Sequence, residues 1–154
     1  MNGQIHKTCA LTGHRKLPVD FNENGLYDKL EEMVVSGYDT FLCGMAYGFD
    51  LTALKCLVAL KRKYKFTIEA CIPYAGHERS FSREDKKLYY ELIEWCDNKT
   101  VMFDRYCNGC FLARDRYMVD CADRVLAYCH KRTGGSAYTV EYAFKMRKPV
   151  IFLQ

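Results

Sequence analysis

The chain has 154 residues, of which 49% are hydrophobic and 27% charged, and it contains only 10 glycines and 3 prolines. This length fits one compact domain, and the composition excludes collagen-like, low-complexity and disordered chains. The formal net charge of +4 is compatible with an anionic ligand such as a small phosphate. It is too small to predict a nucleic-acid-binding surface.

Nine cysteines would suggest disulfides in a secreted chain, but the first ten residues lack the apolar core of a secretory signal. We therefore expect reduced thiols and a cytoplasmic protein. No apolar run approaches the roughly 18 residues that a membrane-spanning helix needs, so no membrane partner is expected. Cys107 and Cys110 have the spacing of half a zinc site, yet nothing in the sequence completes it, and we expect neither a metal nor another cofactor.

Six short apolar segments lack polar–apolar alternation, which is typical of strands buried on both faces of a parallel sheet. They comprise residues 8–12, 40–43, 67–72, 100–103, 124–128 and 150–153.

Helical patterns separate these segments. Leu26, Leu30, Met33 and Val34 form an apolar stripe, and a second stripe follows Asp50, the predicted N-cap. Further helices are predicted near residues 88–96, 111–119 and 138–146. The alternation predicts an α/β, doubly wound domain with a mainly parallel sheet of about six strands flanked by helices. Ligands of such domains bind beyond the carboxyl ends of the strands, where residues 73–82 are a candidate loop over the site.

The segment Thr12-Gly13-His14-Arg15 follows the first strand. Gly13 permits a tight turn and a close backbone approach, and Arg15 can present a planar fork to a phosphate. We take Gly13, His14 and Arg15 as candidate ligand-binding residues, with an ordinary polar turn as the alternative.

The second strand leads into a turn with two glycines, Gly44 and Gly48, that ends at Asp50. The turn is neither a P-loop nor a G-x-G-x-x-G fingerprint, although it suits phosphate binding. Asp50 is predicted as a helix cap, with contact to a ribose as the alternative.

The fifth strand leads into the most informative segment, Thr133-Gly134-Gly135-Ser136-Ala137-Tyr138-Thr139-Val140-Glu141. Small residues that open a helix leave free N–H groups for an anion, so Gly134 and Gly135 are predicted to bind one. Ser136 and Thr139 add hydroxyl donors, and Glu141 would lie close to the ligand. The alternative is a glycine-rich turn in which Ser136 caps the helix.

Arg114 and Arg116 open the fourth predicted helix. We expect one guanidinium to reach the crevice and the other to pair with a surface carboxylate.

Four segments together resemble the YpsA-like branch of the SLOG superfamily. They are Thr12-Gly13-His14-Arg15, Cys43-Gly44-Met45-Ala46-Tyr47-Gly48-Phe49-Asp50, Arg114-Asp115-Arg116-Tyr117-Met118-Val119-Asp120 and Gly134-Gly135-Ser136-Ala137-Tyr138-Thr139. The superfamily also contains the Lonely Guy phosphoribohydrolases and DNA-processing protein A. The resemblance implies a single Rossmann-like domain over residues 1–154 that binds a nucleotide or a nucleotide-derived ligand. Dimers are common in the wider family, so a homodimer is one expected assembly.

The Lonely Guy enzymes carry the pattern P-G-G-x-G-T-x-x-E, with an arginine from the preceding helix. The resemblance implies that Glu141 matches the catalytic glutamate and that Arg114 or Arg116 matches the arginine. Thr133 replaces the proline, Ala137 the third glycine and Tyr138 the threonine.

These departures favour a non-catalytic nucleotide sensor or sequestering module, because the glycines and the helix N-terminus remain while the catalytic pattern changes. The alternative is a phosphoribohydrolase that cleaves the N-glycosidic bond of a nucleoside 5′-monophosphate or a related ribosyl phosphate. Single-stranded DNA handling is a second alternative, which the modest net charge disfavours.

Overall fold

A computed structural model of the chain describes residues 6–131 and 133–154, in which strands and helices alternate. The strands are β1 (Thr8–Gly13), β2 (Thr40–Cys43), β3 (Thr67–Tyr74), β4 (Asn98–Phe103), β5 (Arg124–Tyr128) and β6 (Val150–Phe152). The α-helices are α1 (Glu23–Val35), α2 (Phe49–Leu60), α3 (Arg83–Ile93), α4 (Cys110–Cys121) and α5 (Gly135–Lys145). No helix in this part of the chain is both long and apolar enough to span a membrane.

The strands form one sheet in the order β4-β3-β2-β1-β5-β6, and every neighbouring pair is parallel. The α/β, Rossmann-like doubly wound fold predicted from the sequence is thus confirmed. From β1 the chain adds strands on one side as far as β4, then returns to place β5 against the other side of β1. The strand order therefore reverses between β1 and β5, the position at which such sheets bind ligands.

Both faces of the sheet are covered, which explains why the strands are apolar at successive positions. Cys9 and Leu11 pack on one face and Ala10 on the other. Likewise Leu126 and Val125, adjacent residues of β5, belong to opposite cores. Because successive side chains of a strand point to opposite faces, a strand buried on both sides needs apolar residues throughout.

The helices that lead from β1 towards β4 cover one face of the sheet, and the helices that lead from β4 towards β6 cover the other. The face covered by α1, α2 and α3 buries Leu26, Leu30 and Leu54. The opposite face is covered by α4 and α5, which contribute Met118 and Val140. The helix α4 lies on the second face because it carries the chain back from the β4 edge to β5.

Several predicted boundaries differ from the structure, including that of α3, which begins at Arg83 rather than residue 88. The helix α5 begins at Gly135, ahead of the predicted residue 138, and β4 begins at Asn98 rather than residue 100. The stretch 73–82 is less irregular than predicted, since β3 continues to Tyr74 and a 3-10 turn spans His77–Ser80.

Gly48 is required where the loop after β1 meets the start of α2. Its φ of +85° favours glycine, and a Cβ atom there would lie 2.2 Å from the carbonyl oxygen of Arg15. Substituting Gly48 would therefore separate the β1 loop from α2.

We expect Gly48→Ala to lower the free energy of unfolding by about 3 kcal/mol, because backbone strain adds to this clash. The matched control is Gly109→Ala, where φ is +84° but nothing lies within 4 Å of a built Cβ. That control should lose only about 1 kcal/mol. Urea unfolding measures both variants, and equal losses would contradict the close approach of the Arg15 carbonyl.

Candidate functional site

A cleft of about 620 Å³ opens at the carboxyl ends of β1 and β5. Such a volume is typical of small-molecule sites. The lining residues are Leu11, Thr12, Gly13, His14, Arg15, Lys16, Gly44, Ala46, Asp50, Phe111, Leu112, Arg114, Asp115, Met118, Lys131, Thr133, Gly134, Gly135, Ser136 and Thr139. Most of the residues predicted from the separate loops therefore meet in one place.

The N-terminus of α5 borders this cleft and is open. Gly134 occupies the N-cap position with a φ of +103°, and no side chain of residues 6–131 or 133–154 caps the helix. Apart from the adjacent residues and the backbone of α5 itself, no atom of the described chain lies within 4 Å of a Cβ built on Gly134 or Gly135. The first turn of a helix has N–H groups without helical partners and a partial positive charge, so this end of α5 attracts an anion.

The N-terminus of α2, in contrast, is occupied by the protein itself. The backbone N–H of Phe49 donates to the carbonyl oxygen of His14 at 3.0 Å. Gly48 packs against the Arg15 backbone and is not part of the cleft lining. The second predicted phosphate turn is therefore used to join the β1 loop to α2.

Asp50 is not the helix cap predicted from the sequence. The N-cap of α2 is Gly48, and Asp50 is the second helical residue. Its carboxylate accepts a hydrogen bond from the backbone N–H of Ala46 at 3.2 Å and lines the cleft. Because of the tight turn at Gly48, the helix begins at Phe49, ahead of the position at which a helix capped by Asp50 would begin.

Asp50, Arg114 and Asp115 form the floor of the cleft and are 7%, 5% and 8% exposed. Arg114 Nε donates to Asp115 Oδ1 at 2.7 Å, and its Nη1 donates to the Gly44 carbonyl oxygen. A Cβ on Gly44 would lie 2.9 Å from Asp50 Oδ2 and 3.0 Å from Arg114 Nη1. Glycine is thus needed at position 44 so that both side chains can approach the backbone.

Burial raises the pKa of Asp50 to about 6, although Arg114 and the Ala46 N–H act in the opposite direction. Burial also raises the pKa of Asp115 against the effect of its Arg114 partner. One guanidinium thus faces two carboxylates at the floor, so the fully ionised floor has a net negative charge.

His14 links the loops on the two sides of the strand-order reversal. The backbone N–H of His130 donates to its Nε2 at 2.8 Å, so the neutral ring must carry its proton on Nδ1. Nδ1 then donates to Ser136 Oγ, 3.2 Å away. Burial and the neighbouring Lys131 lower the pKa of His14, which favours this neutral form.

Cationic side chains surround the upper part of the cleft. Arg15, Lys16 and Lys131 line it, and the Arg15 guanidinium lies 5.3 Å from the Phe111 ring centroid. The Arg114 guanidinium lies 6.0 Å from the same ring. The cleft therefore has a cationic rim above an acidic floor.

Two residues expected to be catalytic lie elsewhere. Arg116 donates from Nη1 to the hydroxyl of Tyr138 at 2.9 Å and is not part of the lining. Glu141 is exposed on α5, also outside the lining. Of the two candidate arginines, Arg114 is the one that reaches the cleft, and within the described residues Arg116 bonds a tyrosine hydroxyl rather than the surface carboxylate that we expected.

The sequence interpretation identified Arg114 but missed other lining residues, among them Phe111, Asp115, Met118 and Lys131. Phe111, Arg114, Asp115 and Met118 are spaced as one face of a helix, and all four line the cleft. That periodicity would have identified Asp115, whereas nothing in the sequence distinguishes Lys131 from other lysines. Among residues 6–131 and 133–154, no three metal-ligating side chains are grouped to hold an ion.

Residues 12–150 of the chain match the YpsA family, described as the YspA SLOG family. No curated protein sequence matches the chain.

Three solved structures illustrate the similarity of fold. DNA processing protein A from Helicobacter pylori, described for its single-stranded DNA binding mode, is 20% identical with a TM-score of 0.70 over 96% of this chain and 65% of that one. The Streptococcus pneumoniae protein of the same name is 17% identical with a TM-score of 0.73 over 97% and 50%. A molybdenum cofactor binding protein from Rippkaea orientalis is 19% identical with a TM-score of 0.63 over 96% and 76%. The chain thus spans less than two-thirds of the length of either DNA processing protein A chain.

We expect Arg114→Met to lower the free energy of unfolding by about 3–5 kcal/mol, because it leaves buried carboxylates without their cation. Adding Asp115→Asn to that variant should recover part of the loss. Arg116→Met is the matched control and should change stability by no more than about 0.5 kcal/mol. Urea unfolding at neutral pH measures the free energy of unfolding of the wild type, the two single variants and the double variant. A similar loss in Arg114→Met and Arg116→Met would contradict the buried pairing of Arg114.

We expect His14 to lower the free energy of unfolding in acid. The pKa of His14 in the folded protein is below the ordinary 6.5. The neutral ring therefore stabilises the folded state fully above pH 6.5. Below pH 6.5 this stabilisation declines, because the unfolded chain takes up the proton first. The stability difference between wild type and His14→Gln, measured by urea unfolding across this range, should therefore shrink as the pH falls. A difference that grew in acid would show that the folded ring prefers the charged form.

Proposed function

The chain belongs to the YpsA SLOG family, and from this premise and the geometry of its cleft we propose that it binds a nucleotide or a nucleotide-derived phosphate ligand. The anionic group lies at the N-terminus of α5, and the rest of the ligand occupies the cleft between β1 and β5. The protein acts as a sensor or as a sequestering module for this ligand.

The open N-terminus of α5 is the observation that carries the proposal. Two helices begin near the strand-order reversal, and the backbone of the β1 loop already accepts the first N–H group of α2. Gly134 and Gly135 leave α5 accessible, with Arg15, Lys16 and Lys131 in the same cleft lining. Free N–H groups, a helix dipole and three cations all favour a phosphate here.

The position of Glu141 favours binding over hydrolysis. A glutamate that stabilises the transition state of N-glycosidic cleavage must reach the sugar, and Glu141 is exposed outside the cleft lining. Phosphoribohydrolase activity is therefore the alternative, and it is measured alongside binding.

The first experiment is a thermal-shift panel of sulfate, ribose 5-phosphate, nucleoside 5′-monophosphates, cyclic nucleotides and ADP-ribose, with release of free base measured in the same samples. We expect stabilisation by phosphate-bearing ligands without base release, because a ligand that binds only the folded state raises its stability. Release that Glu141→Gln abolishes would favour the hydrolase. Salt-sensitive retention of single-stranded oligonucleotides would favour DNA handling.

A matched pair of variants locates the anion. Position 135 has open space for a side chain, and an acidic residue is tolerated in the first turn of a helix. Gly135→Asp should weaken binding of phosphate ligands about ten-fold or more through charge repulsion at the helix end.

Gly135→Asn is the control, with nearly the same shape and no charge, and should retain affinity within a few-fold. Equal affinities for the Asp and Asn variants would place the anion away from α5 and contradict the proposal.

A further inference from the structure

The floor of the cleft is rich in hydrogen-bond acceptors, because its two carboxylates, Asp50 and Asp115, outnumber its one guanidinium. Arg114 is its cation, and two of its N–H groups already bind Asp115 and the Gly44 carbonyl oxygen. Within residues 6–131 and 133–154, the only hydrogen bond to the Asp50 side chain is the one from Ala46 N–H to Oδ2. The other carboxylate oxygen, Oδ1, is left as an acceptor in a cleft-lining residue.

A buried carboxylate with unused acceptor capacity favours a donor. Removing a charged group from water is costly unless hydrogen bonds replace the lost solvent. Asp50 is 7% exposed and has one such bond, so a ligand hydroxyl group would supply the missing partner. A second anionic group would instead meet two carboxylates.

The floor and the proposed anion site belong to the same cleft. The Thr139 hydroxyl can donate its one proton to the Gly135 carbonyl oxygen, 2.9 Å away, or to Asp115, and donation to Asp115 lowers the pKa of that carboxyl. One turn of α5 thus connects the helix N-terminus to the acidic floor. A small ligand can span both ends of a cleft of about 620 Å³.

We propose that Asp50 determines which phosphates the cleft accepts, by taking a hydrogen bond from a hydroxyl group on the body of a ligand whose single anionic group is held at α5. This inference rests on the proposed function and identifies the ligand as a hydroxyl-bearing monophosphate. Asp50 is the specificity-determining residue, and Asp115 keeps Arg114 in place beside it.

The test compares ribose 5-phosphate with tetrahydrofurfuryl phosphate, which has the same ring and phosphate but no hydroxyl groups. Titration calorimetry at about pH 7.5, where Asp50 is ionised, measures both affinities. Wild type should bind ribose 5-phosphate about ten-fold or more tightly than the analogue, as expected for a hydrogen bond to a charged group.

Asp50→Asn should reduce this preference to about two-fold or less, mainly by weakening the binding of ribose 5-phosphate. A neutral acceptor forms a weaker hydrogen bond with a hydroxyl group than a carboxylate does. An amide oxygen can still accept from Ala46 N–H, and urea unfolding checks that the variant is folded. Glu91→Gln, an exposed carboxylate on α3, is the control and should keep the full preference.

The wild-type protein supplies an independent measurement. The preference should fall as the pH drops through about 6, where Asp50 takes up its proton. The titratable groups that face Asp50 are Arg114 and Asp115 on α4, Arg15 after β1 and Cys43 on β2. Titration of the phosphate affects both ligands to nearly the same extent and so largely cancels in the ratio of their affinities.

Equal binding of the two compounds by wild type, or a preference that persists in Asp50→Asn, overturns the inference and leaves the proposed function intact. If neither these compounds nor any phosphate in the thermal-shift panel binds at any pH, the proposed function fails, and the inference fails with it.

Discussion

The reversal of strand order at β1 is the constraint on which the cleft depends. The strands β2 and β5 pair with opposite sides of β1, and their connecting helices cover opposite faces of the sheet. The loops that follow β1 and β5 therefore separate above the sheet, and the space between them cannot be filled by a continuous helical layer. His14 crosses this space and joins the two loops through His130 and Ser136.

Two glycine-rich turns at this edge have different uses, and the difference comes from tertiary contacts. Gly48 allows the Arg15 backbone to approach closely, so the Phe49 N–H at the start of α2 donates to a carbonyl oxygen of the β1 loop. Gly134 has the same conformational freedom but no close neighbour in the described structure. A sequence pattern identifies both turns as candidate anion sites, whereas only the packing of the β1 loop decides which one is already satisfied.

The fold was predictable because its signals are local and repeated. Six apolar segments of strand length alternate with helical stripes, and a strand buried on both faces must be apolar at successive positions such as Cys9, Ala10 and Leu11. The candidate site was predictable for residues in the loops at the ends of strands, such as Gly13 and His14 at the end of β1 and Gly134 between β5 and α5. It was not predictable for Lys131, whose place in the cleft depends on the path of a loop, or for Asp50, because the turn at Gly48 starts the helix before the expected cap.

The acidic residue that matches the family's catalytic pattern and the acidic residues that line the cleft are different residues in this chain. The spacing from Gly134 to Glu141 fits a catalytic pattern, but helix periodicity directs Glu141 to solvent, while Asp50 and Asp115 come from α2 and α4 and are buried in the cleft. Asp115 is paired with Arg114, so its role is to hold that cation in place. Asp50 has no ion-pair partner within the described residues, and burial raises its pKa to about 6. The carboxylate best placed to contact a ligand is therefore one that the catalytic pattern does not include.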